Sequence, residues 1–142
     1  MMRRTASFTV PGDPVAKARP RFDPRRPNQP YTPDKTVDYE NTVGLMALRS
    51  VRGSPLVGPI SMEIKAYFRI PKSTSKKRFQ EMREETTWHI KRPDLDNVIK
   101  AIADGSNKIA FHDDSQICRI IAEKHYSETP RVEVKLEEME EP

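Results

Sequence analysis

Asp94 and Asp96 stand two residues apart, Lys100 follows Asp96 by four, and a second acidic pair, Asp113-Asp114, comes further along the chain. Carboxylate oxygens with no histidine or cysteine among them suit a hard cation, magnesium or manganese. Such an ion bridges phosphate oxygens, lowers the pKa of an attacking water and stabilises the leaving oxygen. A lysine beside it neutralises charge building on the phosphate, and Lys100 has the spacing for that. The chemistry on offer is metal-assisted hydrolysis of a phosphate ester. A lone Asp-x-Asp is more often the start of a helix with a charged face, whose i,i+4 ion pairs are worth only a few tenths of a kcal/mol. The second acidic pair, just ahead of an apolar run, is what turns the balance toward a site.

Geometry restricts how these residues meet. Two positions apart on a helix point about 200° from each other. Asp94 and Asp96 therefore converge only if Asp94 lies just before a helix and Asp96 in its first turn. From Asp96 the polar residues Lys100, Asp104 and Lys108 recur at spacing four, and Leu95, Val98, Ile99, Ile102 and Ile109 take the other face. Whether Asp113-Asp114 reaches the Asp94 end depends on the direction of the strand after it, which the sequence leaves open. Other readings of the motif fail. A calcium loop needs an oxygen ligand near Val98 and a glycine near Ile99. An aspartyl-nucleophile phosphatase places its motif after an apolar strand, whereas Lys91-Arg92-Pro93 precede it here. No P-loop or Gly-x-Ser-x-Gly string occurs. His89, His112 and His125 share no metal spacing, and only His112 sits beside an acidic pair.

Charge is distributed in blocks. Residues 1–35 carry eight Lys/Arg against three Asp, and residues 69–92 carry eight Lys/Arg against three Glu. Residues 93–142 reverse this, with six basic and twelve acidic groups. Basic segments favour a polyanion through counterion release. Clustered carboxylates repel the same polyanion unless a cation lies between them. Lys17, Arg19, Arg21, Arg25 and Arg26, then Lys76, Lys77 and Arg92, are the candidate DNA contacts.

The elements that must carry these residues fit one domain of 142 residues, a single α+β unit spanning 1–142. Its expected order is β-α-β-(α)-α-β-β, a mixed sheet of about four strands packed with two to three helices. Ala6, Phe8 and Val10 alternate as a first strand. Residues 11–33 hold seven of the thirteen prolines and read as an extended or looping basic arm bearing Phe22 and Tyr31. A helix comes next, from about Lys35 to Val51, with Tyr39, Val43, Met46, Ala47 and Val51 on its apolar side. Ile60 to Ile70 is the cleanest alternating run and reads as a strand. Residues 72–92 read either as a short amphipathic helix anchored by Phe79, Met82 and Trp88 or as a connector. The next helix begins at Pro93-Asp94, and Gly105-Ser106 predicts that it frays or ends early. Gln116 to Ala122 reads as a buried strand with Cys118 as a small core residue. Tyr126 to Pro130 is a turn, Val132, Val134 and Leu136 form a last strand paired with the previous one as a hairpin, and 137–142 is an acidic tail.

One cysteine excludes an internal disulfide and a cysteine-based zinc cluster. No apolar run has the roughly 18 residues of a membrane span. Met1-Met2-Arg3-Arg4 resembles a signal n-region for four residues only, since Thr5, Ser7, Thr9 and Pro11 interrupt the stretch that would have to be its apolar segment. The expectation is a cytoplasmic protein with no membrane partner and no small-molecule cofactor.

At Arg92-Pro93-Asp94-Leu95-Asp96-Asn97, with Lys100-Ala101 and Asp104, the sequence resembles the RusA family of Holliday junction resolvases. Phe111-His112-Asp113-Asp114-Ser115-Gln116-Ile117 resembles the family's second acidic motif, and Gly12 to Phe22 with Tyr31-Thr32-Pro33 extends the likeness through most of the chain. The resemblance implies a crossover junction endodeoxyribonuclease, a homodimer that binds four-way junction DNA and nicks two strands symmetrically in recombination and repair. It implies catalytic Asp94, Asp96, Lys100 and Asp114, and a Mg2+ site (Mn2+ as substitute) of Asp94, Asp96 and Asp114, with Asp113 adjacent. Family members often belong to prophages, so the resemblance also implies a phage origin. The alternatives are a non-catalytic branched-DNA-binding accessory protein and a nuclease for other branched DNA.

Overall fold

The computed structural model describes residues 3–142; Met1 and Met2, half of the signal-like start, lie outside the described residues. The apolar alternation of Ala6, Phe8 and Val10 forms β1 (Thr5–Pro11), with these three side chains buried and the residues between them exposed. Two short strands come next, β2 (Arg21–Asp23) and β3 (Arg26–Tyr31), paired antiparallel with each other. The basic arm is thus a small β-hairpin, standing apart from the main sheet. Proline does not prevent this, because a two-stranded ribbon is all edge and leaves N–H positions unpaired.

Helix α1 (Asp34–Val51) buries Tyr39, Val43, Ala47 and Val51, and the expected strand is β4 (Ile60–Arg69). The segment left open by the sequence contains α2 (Lys76–Arg83), capped by the Ser75 side chain, which accepts from the Arg78 N–H. Met82 is buried and Phe79 packs beside it against Ile70 and Tyr126. Trp88 is no anchor: it is 60% exposed. Helix α3 (Leu95–Ser106) leads through a 3₁₀ turn at Asp114–Gln116 into β5 (Ile117–Ser127), and β6 (Arg131–Glu138) ends the sheet.

The sheet runs β1-β6-β4-β5. β6 lies antiparallel to both β1 and β4, while β5 lies parallel to β4. This corrects the expected β5–β6 hairpin. β4 buries Ile60, Met62, Ile64, Ala66 and Phe68, and placing strands on both its edges shields that row best. β5 is consequently an edge strand. Cys118 is exposed and Ile120 and Ile121 are 42% and 50% exposed, so neither the buried strand nor the buried cysteine is found. The continuous apolar pattern that suggested burial belongs to a strand with only one neighbour.

The tail is shorter than expected, since Glu137 and Glu138 close β6. Glu138 accepts from the Arg4 and Val57 N–H groups, each at 2.8 Å, and ties the first strand and the loop before β4 to the last strand. Gly105 stays inside α3. A Cβ there would come 2.7 Å from the Val43 Cβ and 3.0 Å from the Glu40 carbonyl oxygen, so glycine is what lets α1 and α3 pack this closely. The helix ends one residue later, before Ile109, as the glycine had suggested.

Candidate active site

β4, α3 and β5 form a βαβ crossover. In such a unit the helix returns against the direction of the two parallel strands, so its first turn lies at their carboxyl ends and its last turn at their amino ends. Asp94 and Asp96 open α3 and therefore stand at the carboxyl end of the β4/β5 pair. Asp113 and Asp114 immediately precede β5 and stand at the opposite end. The twelve residues of α3 alone separate the two ends by about 18 Å.

Contacts at both ends fit this arrangement. Lys124, late in β5, donates from Nζ to the carbonyls of Lys91 (2.7 Å) and Pro93 (2.8 Å), which holds the lead-in to Asp94 against the strand. At the other end, the Gln116 side chain donates to the Gly58 carbonyl (3.0 Å) and accepts from the His112 and Asp113 N–H groups. The direction of β5, which the sequence left open, thus parts the two acidic pairs within one chain. Among the described residues, no three His, Cys, Asp or Glu side chains are grouped closely enough to hold a metal ion.

Asp94 occupies the N-cap position with extended backbone (φ −68°, ψ 143°), yet its carboxylate makes no capping hydrogen bond. An aspartate here ordinarily spends its side chain on the first-turn N–H groups. Asp96 in the first turn and Lys100 one turn on are exposed, as is Asp94. Asp114 is exposed as well. None of these four side chains takes part in a hydrogen bond or ion pair among the described residues. They are charged groups with no structural employment.

Asp113 differs from its neighbour. Its carboxylate accepts from the Ser115 N–H at 3.0 Å, completes a capping box with Gln116 and lies 3.7 Å from Lys108 Nζ. The hydrogen bond from Ser115, helped by Lys108, holds its carboxyl below the usual carboxylate range. The local geometry thus separates the adjacent pair: Asp113 shapes the turn, and Asp114 is the unspent carboxylate.

The candidate DNA contacts also divide. Arg19, Arg21, Arg25 and Arg26 are exposed on the arm with Phe22 and Tyr31, and among the described residues only Arg25 of the four is paired, with Asp23. Lys17 is held between Glu40 and Asp104 (3.3 Å to the latter) and is mostly shielded from solvent, so its charge is used inside the fold. Its backbone N–H donates to the Asn97 carbonyl, which fixes the root of the arm beside the first turn of α3. Lys76 and Lys77 are exposed on α2, which is docked at the carboxyl ends of β4 and β5 through Ile70 and Tyr126. Arg92 is exposed two residues before Asp94. The root of the arm, α2 and the lead-in to α3 therefore lie at the end of the sheet where Asp94 and Asp96 stand.

His89, which the sequence ties to no site, has a place in the packing. It is buried, stacked on Phe68 (ring centroids 4.1 Å) and against Tyr126 (4.8 Å). Burial, with Lys124 and Lys91 nearby, pushes its pKa down to about 4, so it packs as a neutral ring. His112, beside the acidic pair, is exposed and contributes its backbone N–H to Gln116.

A family model described as Endodeoxyribonuclease RusA matches residues 11–137. The chain is 36% identical over 135 residues to "Uncharacterized protein YqaN" of Bacillus subtilis (strain 168), covering 93% of this chain and 95% of that protein. It is 40% identical over 53 residues to "Crossover junction endodeoxyribonuclease rusA" of Lactococcus phage r1t, a match that covers 37% of this chain and 40% of the phage protein.

Proposed function

The chain belongs to the RusA endodeoxyribonuclease family, and from that premise we propose that it is a magnesium-dependent, homodimeric nuclease that resolves four-way DNA junctions. The observation that carries this reading is the pair of unspent carboxylates at the start of α3, with Lys100 one turn away, at the end of the sheet where the root of the basic arm, α2 and Arg92 lie. Magnesium is commonly held by one or two carboxylates together with substrate phosphates, and Asp94 and Asp96 offer such a donor set. When bound there, the ion supplies Lewis acidity toward the phosphodiester and a more acidic water. Lys100 stands ready to offset charge on the phosphate, and the exposed Arg19, Arg21, Arg25 and Arg26 orient the DNA backbone across the site.

Asp114 enters this site through the dimer. The free edge of β5 exposes Ile120 and Ile121, an apolar strand edge that soluble proteins usually cover. Two β5 edges paired antiparallel about a two-fold axis near these residues set the amino end of one strand beside the carboxyl end of the other. Asp114 of the partner subunit then approaches Asp94 and Asp96, and each dimer has two such sites for two symmetric cuts.

The test is cleavage of a synthetic mobile four-way junction with magnesium. Nicked duplex products are expected from the wild type, and Asp96→Asn is expected to bind the junction without cutting it. A wild-type protein that leaves the junction intact with both magnesium and manganese sinks the resolvase reading. If it still binds the junction with no metal requirement, it is an accessory protein; if it cuts forks or flaps instead, it is a nuclease for other branched DNA.

A further inference from the structure

Just upstream of Asp94, a cavity of about 500 Å³ opens between α2 and the segment that leads into α3. Trp88, Ile90 and Lys91 line one side, Ser75 and Arg78 of α2 another, and Tyr126 of β5 completes it. The Trp88 ring is braced by a row of neighbouring side chains. It leans on the His125 imidazole (5.1 Å, 30°), His125 stacks on Tyr67 (5.4 Å), and the Arg131 guanidinium lies 4.0 Å over that ring. His125 is itself held by Glu123 at 2.8 Å. Trp88 nevertheless leaves 60% of its surface in water, and Ile90 leaves 87%. On the far side, α2 is fixed by Ile70, Met82 and Tyr126.

A large planar apolar ring that is held in place and left uncovered suits a planar partner. The charge around it narrows the choice. Residues 69–92 carry eight Lys/Arg against three Glu, and the Lys91 side chain has no acidic partner among the described residues. A flat, polar-edged ring attached to an anion fits both features. We propose that this cavity receives one unstacked nucleobase of the DNA substrate, stacked on Trp88, with its phosphate met by Lys91. The inference rests on the endonuclease reading and adds a basis for substrate choice. In a linear duplex both faces of each base are covered by neighbours, whereas a branch point or unpaired base has a face to offer. Stacking on Trp88 would then favour branched over linear DNA without reading sequence.

Trp88 is the only tryptophan in the chain, so its fluorescence reports on this cavity alone. The full-length protein is titrated, with EDTA present to prevent cutting, against a four-way junction, a single-stranded oligonucleotide and a blunt duplex. Each DNA carries a remote dye whose anisotropy reports binding independently. Strong quenching by junction and single strand, with little by bound duplex, is the expected result. Trp88→Ala should weaken junction binding about tenfold and Trp88→Phe should recover most of it. Unchanged emission while anisotropy shows the junction bound overturns the proposal, as does equal quenching by duplex. Quenching by the single strand while the junction fails to bind keeps the cavity and removes the resolvase reading. No binding to any of the three removes both.

Discussion

Lys124 of β5 reaches back to the carbonyl of Pro93, 2.8 Å from Nζ, and so joins the strand to the residue just before Asp94. The same ammonium also takes the Lys91 carbonyl, so one side chain sets the entry to α3. Lys124→Met keeps an unbranched apolar stem one atom shorter and removes both hydrogen bonds. Charged hydrogen bonds of this kind contribute about 1.5–3 kcal/mol. The expected outcome is a stability loss of that order in urea unfolding. Junction cleavage should fall about tenfold or more while junction affinity stays near wild type, because the change displaces the carboxylates and not the basic arm. Wild-type cleavage by this variant would show that the pin is not needed to place Asp94.

Separation of Asp94/Asp96 from Asp114 by the length of α3 makes subunit mixing informative. Asp96→Asn and Asp114→Asn homodimers are each expected to be inactive. In a mixed dimer with sites shared between subunits, one site carries both substitutions and the other carries neither. Mixing the two variants should therefore restore nicking of one strand per junction. If each site were complete within one chain, the mixed dimer would remain dead. Gel analysis of nicked products from the mixture distinguishes these outcomes.

The basic arm and Lys17 should behave differently although both are cationic. Replacing Arg19, Arg21, Arg25 and Arg26 by glutamine should flatten the dependence of DNA affinity on salt, by about 0.9 in log–log slope for each phosphate no longer neutralised. Lys17→Gln should leave that slope alone and lower stability instead, because it strands Glu40 and Asp104 without their counter-charge. Affinity measured across a salt series, beside urea unfolding, separates the two. A reduced slope for Lys17→Gln would place that ammonium on the DNA.

His89 gives the fold an acid sensitivity of calculable sign. Its folded pKa of about 4 lies below the 6.5 of an unfolded histidine, so the unfolded chain binds the extra proton first. The neutral ring supports the fold fully above pH 6.5, and that support is lost as pH falls from 6.5 toward 4. About 3 kcal/mol is at stake across that window. His89→Phe, which keeps a ring between Phe68 and Tyr126, should flatten the fall in melting temperature between pH 6.5 and 4. An unchanged profile would assign the acid sensitivity to other groups.

The sequence by itself determined most of the elements and singled out the residues that could do chemistry. The alternation of Ile60 to Phe68, the apolar side of residues 39–51 and the carboxylates at the start of α3 are local patterns, set by burial of every second or every third to fourth residue. Asp94, Asp96, Lys100 and Asp114 are exposed, and their side chains enter none of the hydrogen bonds or ion pairs among the described residues. Tertiary structure decided how the strands are ordered and which way β5 runs. A period of two says which face of a strand is apolar and nothing about its neighbours. β5 therefore looked buried by its own composition, whereas the pairing of β4 with β6 left it at the edge. Direction is likewise not local: a parallel β5 sends Asp113 and Asp114 to the end away from Asp94, where an antiparallel one would have brought them together. Lys17 looked like one more cation of the arm until packing of α1 on α3 set Glu40 and Asp104 around it. Such outcomes depend on contacts between residues far apart in the chain, and those are fixed only when the whole core closes.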